Sequence, residues 1–389
     1  MTEVIMIKYA ELTTKKDNRN FFINTLEKNI LHILSDLKPV IKKDYYRMFV
    51  YVSEVDEAIN RLTNVFGILE VVKCIFTENK EFETICEISA SLLKEDKTFK
   101  VETNRSDKSY PINSMELSRK VGGYLLKNIN GLKVDVHNPE VLINIEIRRE
   151  GVYIYKNGIK ALGGYPVGTL GKALLMLSGG IDSVVAGFET MKRGVKLDFI
   201  YFESLPHTSL EAREKVISLA KILKGYGNTG KLLVVPFTKI QESIYTNMKG
   251  DYMITLMRRQ MYRIAERVAK RRNLTAIVNG ESIGQVASQT LTSMRVVNDV
   301  TNYPIIRPLA SFDKLEIMNI ARKIGSYEIS ILPYIDCCTV FVPTHPVINP
   351  SLDVAKKEEE KLDMELLDEA IKNILVIDLD EKDTSSDLL

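Results

Sequence analysis

The chain has 389 residues, 45% of them hydrophobic, which is enough for two or three domains with buried cores. The N-terminus has no secretory signal pattern, and no apolar run approaches the roughly 20 residues that cross a bilayer, so we expect a cytoplasmic protein without a membrane anchor. Four cysteines without a Cys-x-x-Cys pair exclude a disulfide framework and argue against a zinc or iron–sulfur centre held within this chain.

The net charge of +2 conceals an asymmetry along the chain. Residues 351–389 contain five Lys or Arg and thirteen Asp or Glu, a net charge of −8, which leaves +10 for the residues before them. A basic body fits a polyanionic partner such as nucleic acid. A solvated surface of mixed charge explains the same counts equally well.

The first 164 residues mix hairpins with helices. The first predicted unit contains a strand in EVIMIKYA, a helix over 18–34, a hairpin in VIKKDYYRMFVYV and a helix over 55–62. The second contains the strands ILEVVKCIF, FKVET, VLINIEI and VYIYKNGIKAL with helices over 81–93 and 114–128. We therefore predict two small α+β domains, residues 1–58 and 59–164, whose sheets are largely open on one face.

The glycine-rich segment GGYPVG predicts a linker, and a new pattern follows it. The strands KALLML, KLDFIYF, KLLVVPF, LTAIVNG and YPIIRP alternate with helices over 183–193, 210–223, 253–272, 286–297 and 313–324. Such alternation predicts βαβ units, and therefore an α/β domain with a doubly wound parallel sheet over residues 165–375. A further helix is expected over 362–373, and an acidic flexible tail over 376–389.

The segment SGGIDS follows the first of these strands, at the sheet edge where parallel sheets bind their ligands. Gly179 and Gly180 leave backbone amides open, the next helix directs its N-terminal amides at the same point, and Ser178 and Ser183 add hydroxyl groups. The segment is neither a Walker A loop nor a dinucleotide-binding fingerprint. Asp182 beside bound phosphates requires Mg²⁺ or a reacting group. We predict a phosphate or pyrophosphate site, with a tight turn as the alternative.

The loop resembles the PP-loop of ATP pyrophosphatases, which cleave ATP between the α and β phosphates. GGYPVGTLGKALLMLSGGIDS, MRRQMYRIAERVAKRRN, NGESIGQVASQTLTSM and RPLASFDKLEIMNIARKIG are similar, in that order, to segments of the tRNA uridine 4-sulfurtransferase family. MIKYAELTTKKDNR resembles that family's N-terminal ferredoxin-like domain, and FKVETNRSDKSYP resembles the opening of its THUMP domain, an RNA-binding module. The resemblance implies a PP-loop catalytic domain preceded by ferredoxin-like and THUMP domains.

The resemblance also implies a set of ATP-binding residues, with Mg²⁺ carried by the ATP phosphates and Asp182 as its only candidate protein ligand. The implied ATP contacts are Met176, Leu177, Ser178, Gly179, Gly180, Asp182, Ser183, Tyr201, Phe202, Arg258, Gly280 and Gln289. The predicted helix of Arg258 carries the further arginines Arg259, Arg263, Arg267, Arg271 and Arg272. A phosphate-binding face and a solvated face are equal alternatives for them.

Catalysis is implied at Asp182 and at Cys337 or Cys338, one of which would carry the sulfur as a persulfide. Cys337 aligns best with the family's cysteine, and a buried turn is the alternative for the pair. Some members carry a rhodanese domain that delivers sulfur. We expect none here, so a separate cysteine desulfurase is the preferred donor and sulfide the alternative.

The implied RNA contacts are Arg105, Lys108, Arg119 and Lys120, which would hold the tRNA acceptor end, while Tyr110 would either stack or pack. The implied activity is ATP-dependent thiolation of tRNA uridine 8 to 4-thiouridine, with sulfur supply to thiamine synthesis and homodimerisation as further family expectations. Another PP-loop enzyme, either a tRNA 2-thiolase or a nucleotide amidating synthetase, is one alternative. A non-catalytic THUMP RNA-binding protein is the other.

Overall fold

The computed structural model describes residues 1–14, 17–93, 97–341, 343 and 345–379, apart from the side chains of residues 13, 14 and 338. The chain forms two compact units that divide between Pro166 and Val167. Within the described ranges, no helix is both long enough and apolar enough to span a membrane.

The described part of the first unit contains a nine-stranded sheet in the order β2-β3-β1-β4-β8-β7-β5-β6, with β9 paired to β4. Its strands are β1 (Thr2–Tyr9), β2 (Val40–Lys43), β3 (Arg47–Tyr51), β4 (Ile68–Thr77), β5 (Thr98–Arg105), β6 (Lys133–Val134), β7 (Val141–Arg148), β8 (Gly151–Tyr155) and β9 (Ile159–Lys160). Its helices are α1 (Arg19–Ile33), α2 (Val55–Leu62), α3 (Phe82–Ser91) and α4 (Ser114–Asn128).

Strand β4 joins the two predicted small domains, because it pairs with β1 on one side and with β8 on the other. Residues 1–58 and 59–164 therefore share one sheet, on which two separate buried clusters pack. The first cluster takes in residues 5–71 and Tyr165 and the second residues 85–154, so the predicted boundary at 58 falls within α2 and its core. The prediction of a largely open face was wrong at the centre of the sheet, where a third buried cluster forms. In it Phe49 stacks on Tyr153 at 4.6 Å, and the Arg148 guanidinium covers both rings.

The second unit contains a six-stranded sheet in its described residues, in the order β14-β13-β10-β11-β12-β15. The strands are β10 (Lys172–Met176), β11 (Lys196–Glu203), β12 (Leu232–Pro236), β13 (Ala276–Val278), β14 (Ile305–Ile306) and β15 (Leu375–Ile377). The helices are α5 (Ile181–Lys192), α6 (Leu210–Gly225), α7 (Thr238–Asn247), α8 (Met253–Arg271), α9 (Leu291–Asn298), α10 (Lys314–Lys323), α11 (Tyr327–Ser330), α12 (Leu352–Glu359) and α13 (Glu365–Lys372).

This sheet confirms the predicted doubly wound α/β fold. Strands β10 to β14 are all parallel, and the chain order reverses between β10 and β13. Segment 178–183 follows β10 and therefore lies at the topological switch point, where open α/β sheets bind ligands.

The boundaries differ from prediction in three places. Helix α9 begins at Leu291 and not at Val286, and α7 was not predicted. The predicted flexible tail began too early, because β15 pairs antiparallel with β12 through Ile377 and Leu379 is buried. Residues 380–389 lie outside the described residues.

The acidic C-terminal helices neutralise the basic helix α8. Arg259, only 1% exposed, donates to Glu359 of α12 at 2.7 Å, and Arg263 reaches the same carboxylate at 3.1 Å. Arg267 pairs with Asp368 of α13 at 2.7 Å. The solvated-face alternative was therefore wrong for Arg259, which is buried and paired within the chain. Arg263 and Arg267 form ion pairs on a partly exposed face, and phosphate binding there stays a prediction.

We expect Glu359→Ala to lower the free energy of unfolding by about 3 kcal/mol, because Arg259 then stays buried with only the more distant Asp299 as its anion. Denaturant unfolding followed by circular dichroism measures the change. The control is Asp368→Ala, which removes an exposed pair and should cost at most about 1 kcal/mol. Equal losses in both variants would contradict this account of α8.

Candidate nucleotide and sulfur-transfer site

A cavity of about 320 Å³ opens where β10, β11 and β13 end. Ten of the twelve residues implied as ATP contacts line it, together with Cys337: Met176, Leu177, Ser178, Asp182, Ser183, Tyr201, Phe202, Arg258, Gly280 and Gln289. The sequence analysis missed the remaining lining residues, which are Ile254, Met261, Tyr262, Asn279, Glu281, Ser288, Asp336 and Thr339.

The loop between β10 and α5, residues 177–180, is closed by hydrogen bonds to the hydroxyl groups of Ser178 and of Ser183 in α5. The backbone N–H of Ser178 donates to the Ser183 hydroxyl at 3.1 Å, and the N–H of Gly180 donates to the Ser178 hydroxyl at 3.3 Å. Gly180 is the N-cap of α5 and carries no side-chain acceptor for the first helical turn. A ligand anion can therefore take the place of the cap, as at other helix N-termini that bind phosphate.

Space is tight around two glycines of this site, and at Gly280 it excludes a Cβ unless the backbone shifts. A Cβ on Gly179 would lie 3.1 Å from Asp336 Oδ1 and 3.2 Å from Lys215 Cδ. A Cβ on Gly280 would lie 2.6 Å from the carbonyl carbon of Asp182. Gly280 thus allows the end of β13 to lie against the first turn of α5, which is the close backbone approach that glycine permits.

The Asp182 carboxylate is held by two side chains that sequence reasoning missed. Its Oδ1 pairs with Lys314 Nζ at 2.6 Å, and its Oδ2 accepts from Gln285 Nε2 at 2.7 Å. Lys314 begins α10, and its ammonium reduces the negative charge that an incoming phosphate would meet. Among the described residues, no group of three or more His, Cys, Asp or Glu is arranged to hold a metal ion. Mg²⁺ at Asp182 would therefore need phosphate oxygens among its ligands.

Part of the cavity lining is apolar. Leu177 and Phe202 are 3% and 5% exposed, so both are core residues as well as cavity residues. The N–H of Leu177 donates to the Ile200 carbonyl at 2.9 Å, and the Phe202 ring meets Phe237 edge-on at 5.4 Å. Ile254 adds an apolar contact from α8, and this part of the lining has the character that a planar base requires.

Arg258, which also lines the cavity, is bound to other groups of the protein. Its guanidinium forms an ion pair with Glu281 and donates to the Ser288 carbonyl at 2.9 Å. Glu281 also accepts from Arg307 Nε at 2.6 Å. Arg258 therefore lies beside the cavity with its charge already paired, and binding a phosphate would require it to share or exchange Glu281.

Cys337 begins a short 3₁₀ turn, Cys337–Thr339, at the edge of the same cavity. It is 5% exposed, and its carbonyl accepts from Gln241 Nε2 at 2.7 Å. The side chain of Cys338 lies outside the described residues. His345, the histidine that follows this turn in the chain, is exposed and does not line the cavity.

Asp336 connects Cys337 to segment 178–183, called the phosphate loop after its predicted ligand. Its Oδ1 accepts the N–H of Gly179 at 3.1 Å, although the two residues are 157 positions apart. Burial raises the pKa of Asp336, while the Gly179 N–H and Lys215 oppose that rise. Burial likewise raises the pKa of the Tyr201 hydroxyl far above its ordinary value, and the nearby Asp336 adds to the effect, so this phenol is neutral.

The residues implied in RNA binding belong to the first unit and fall into two groups. Arg105 donates to the carbonyls of Tyr110 and Ile112 at 2.6 and 3.2 Å, so it holds the loop before α4. Tyr110 is 8% exposed and packs in the core, as the packing alternative predicted. The other three implied contacts are exposed: Lys108, Arg119 and Lys120.

Family models match most of the chain. Residues 4–71 match the ThiI ferredoxin-like domain, residues 80–157 match the THUMP domain, and residues 168–364 match the model described as thiamine biosynthesis protein (ThiI). The probable tRNA sulfurtransferase of Thermoanaerobacter pseudethanolicus is 49% identical over 367 residues, which cover 93% of this chain and 96% of the relative. The chain belongs to the ThiI family of tRNA sulfurtransferases.

Other members of the ThiI family agree with this assignment. The probable tRNA sulfurtransferase of Clostridium acetobutylicum is 47% identical over 384 residues, with 97% of this chain and 99% of the relative covered. The crystal structure of a 4-thiouridine synthetase–RNA complex with bound ATP is 35% identical and superimposes with a TM-score of 0.91, covering 97% of this chain and 99% of that one. The predicted ferredoxin-like, THUMP and PP-loop architecture is thereby confirmed.

We expect Asp336→Asn to raise the thermal unfolding midpoint at neutral pH. A carboxyl group whose pKa is higher in the folded chain binds its proton more tightly there, so stability falls as the pH rises from the ordinary value of 3.8 through the folded value. An asparagine at this position does not ionise, so the Asp336→Asn protein does not lose this stability. The difference between the unfolding midpoints of the variant and the wild type should therefore shrink as the pH is lowered to about 4.

Thermal melts of both proteins across this pH range measure the difference, with Asp368→Asn as the exposed control. A less stable Asp336→Asn protein at neutral pH would show that the ionised carboxylate is favourable in the fold.

Proposed function

We propose that this chain catalyses the ATP-dependent thiolation of uridine 8 in tRNA to 4-thiouridine. The supporting observation is that Asp182 of the phosphate loop and Cys337 line one cavity. A nucleotide site and a sulfur carrier are what such a reaction requires. The family assignment and the solved relative, a 4-thiouridine synthetase–RNA complex with bound ATP, support the same substrates.

In the first step, the uracil 4-oxygen attacks the α-phosphorus of ATP, and pyrophosphate leaves. Leu177, Phe202 and Ile254 hold the adenine ring, while the amides of segment 178–183 and the N-terminus of α5 receive the phosphates. Lys314 offsets the charge of Asp182 and supplies a cation near the leaving group. Bound to phosphate oxygens and Asp182, Mg²⁺ would supply further charge neutralisation.

In the second step, the terminal sulfur of a Cys337 persulfide bonds to C4 of the adenylated uracil. The C4–O bond breaks, and AMP leaves with the uridine oxygen. A thiol then cleaves the S–S bond between Cys337 and the base, which gives 4-thiouridine and a disulfide. Cys338 is one candidate for this thiol, but a disulfide between adjacent cysteines is strained, so an external thiol is the other.

The tRNA and the sulfur donor complete the proposal. The exposed cations Lys108, Arg119 and Lys120 of the THUMP domain would contact acceptor-end phosphates, and Arg105 would hold the loop that presents Lys108. We assign the persulfide to a cysteine desulfurase, and we extend the proposal to a homodimer. Sulfur transfer for thiamine synthesis is a further proposed role, because residues 168–364 match the family model that carries that description.

We expect the wild type to form 4-thiouridine on unmodified tRNA transcript with ATP, Mg²⁺, cysteine and a cysteine desulfurase. Asp182→Asn should slow product formation about 10²–10³-fold, because it alters the charge beside the reacting phosphate. Cys337→Ser should form no 4-thiouridine but should still release pyrophosphate in the presence of tRNA. Near-ultraviolet absorbance detects the thionucleoside, and Cys86→Ala, in the core of the first unit, is the active control.

The outcomes separate the alternatives. Product lost in Cys338→Ser and kept in Cys337→Ser would move the persulfide to Cys338. Pyrophosphate release without any thionucleoside in the wild type would indicate a different PP-loop reaction. Absence of both would indicate an RNA-binding protein without this activity.

A further inference from the structure

Asp336 places a carboxylate oxygen on the phosphate loop. The N–H of Gly179 donates to Asp336 Oδ1 at 3.1 Å, and Asp336 lines the cavity together with Ser178 and Asp182. The amides of such a loop are the groups that bind phosphate oxygens. The carboxylate of Asp336 therefore takes a position at the Gly179 amide that a phosphate oxygen would otherwise take.

The Asp336 carboxylate is surrounded by buried polar groups from Lys215 and Tyr201. Lys215 of α6 is only 6% exposed, its Cδ and Cε pack against Gly179, and it is the cation that acts on Asp336. Its Nζ also donates to the Leu332 carbonyl at 2.8 Å, on the segment that leads to Asp336. The Tyr201 hydroxyl lies buried in the same region, with no hydrogen-bond partner among the described residues. An incoming phosphate would meet both the negative charge of Asp336 and the unused Tyr201 hydroxyl.

The next residue in the chain is the proposed sulfur carrier. Cys337 is 5% exposed, and Gln241, itself fully buried, binds its carbonyl. A residue that accepts sulfur from a second protein and then attacks a tRNA base must be reached by both of them. The buried position of Cys337 is therefore suited to a resting state, and a change at Asp336 acts on Cys337 through one peptide unit.

We propose that Asp336 is a positioning residue that holds Cys337 buried while the phosphate loop is empty and that is displaced when an ATP phosphate binds the Gly179 amide. This inference rests on the proposed function, because it requires ATP at segment 178–183. Phosphate and carboxylate are both anions, so they do not share one amide at short range. Departure of Asp336 moves the backbone of Cys337 and exposes its sulfur.

This arrangement orders the two steps of the reaction. The sulfur of Cys337 becomes accessible only after the nucleotide that activates the uracil has bound. Loading of sulfur on Cys337 and its attack on the uracil then both follow ATP binding.

The test is the rate at which iodoacetamide alkylates Cys337 in the reduced full-length protein without tRNA. Tandem mass spectrometry assigns the product to Cys337 and separates it from Cys338. We expect ATP with Mg²⁺ to raise the rate about tenfold, the factor that follows from loss of one charge-assisted hydrogen bond. Adenosine, which lacks phosphates, should leave the rate unchanged. Equilibrium dialysis of the same samples measures ATP binding.

Two variants distinguish the positioning role of Asp336 from an effect of ATP binding alone. In the Asp336→Ala protein, iodoacetamide should alkylate Cys337 rapidly both with and without ATP. Asp336→Asn keeps the shape of the side chain and its acceptor oxygen but lacks the charge, so it remains informative if Asp336→Ala fails to fold. In this variant, ATP should raise the rate of Cys337 alkylation less than it does in the wild type. Asp368→Asn, on an exposed ion pair, should behave as the wild type does.

The contrary results are distinct. A wild-type rate that stays constant or falls while ATP is bound would overturn the role of Asp336 and leave the proposed function standing. Failure to bind ATP would overturn both. Slow alkylation of a folded Asp336→Ala protein without ATP would show that other contacts bury Cys337.

Discussion

The close approach of β13 to the first turn of α5 is the constraint on which the site depends. Gly280 ends β13 against Asp182, with no room for a Cβ, and this contact fixes one side of the cavity. Parallel pairing of β13 with β10 brings the two strand ends to the same edge of the sheet. The loop after β10 then lies at the switch point, where amides, hydroxyl groups and a helix N-terminus converge.

Helix α8 lines part of the cavity. Acidic residues that are distant in sequence form ion pairs with this helix. Glu359 neutralises the buried Arg259 on one side of the helix, while Ile254 and Arg258 face the cavity on another. The acidic C-terminal segment is thus part of the catalytic unit. Its carboxylates pair with the arginines of α8, the helix that brings Ile254 and Arg258 to the candidate cavity.

The sequence predicted what short-range patterns specify. Alternating apolar strands and helices predicted the doubly wound sheet, and Ser-Gly-Gly-x-Asp-Ser predicted the position of the loop. The sequence also contained the signal for the start of α9, because Thr290 caps this helix by accepting from the Ser293 N–H. The apolar residues before Thr290 nevertheless led to the prediction of an earlier start. By contrast, the pairs of Asp336 with Gly179 and of Lys314 with Asp182 join residues far apart in the chain. No local pattern encodes such contacts, and the charge asymmetry did not reveal that Arg259 and Glu359 are partners.

Oxygen transfer from the base to AMP tests the central claim most directly. Unmodified tRNA that carries ¹⁸O at the 4-oxygen of uridine 8 is thiolated to completion, and the AMP released is analysed by mass spectrometry. Adenylation of that oxygen predicts one ¹⁸O atom in AMP for each 4-thiouridine formed. Unlabelled AMP, formed in step with 4-thiouridine, would contradict activation of the base by the nucleotide bound at segment 178–183.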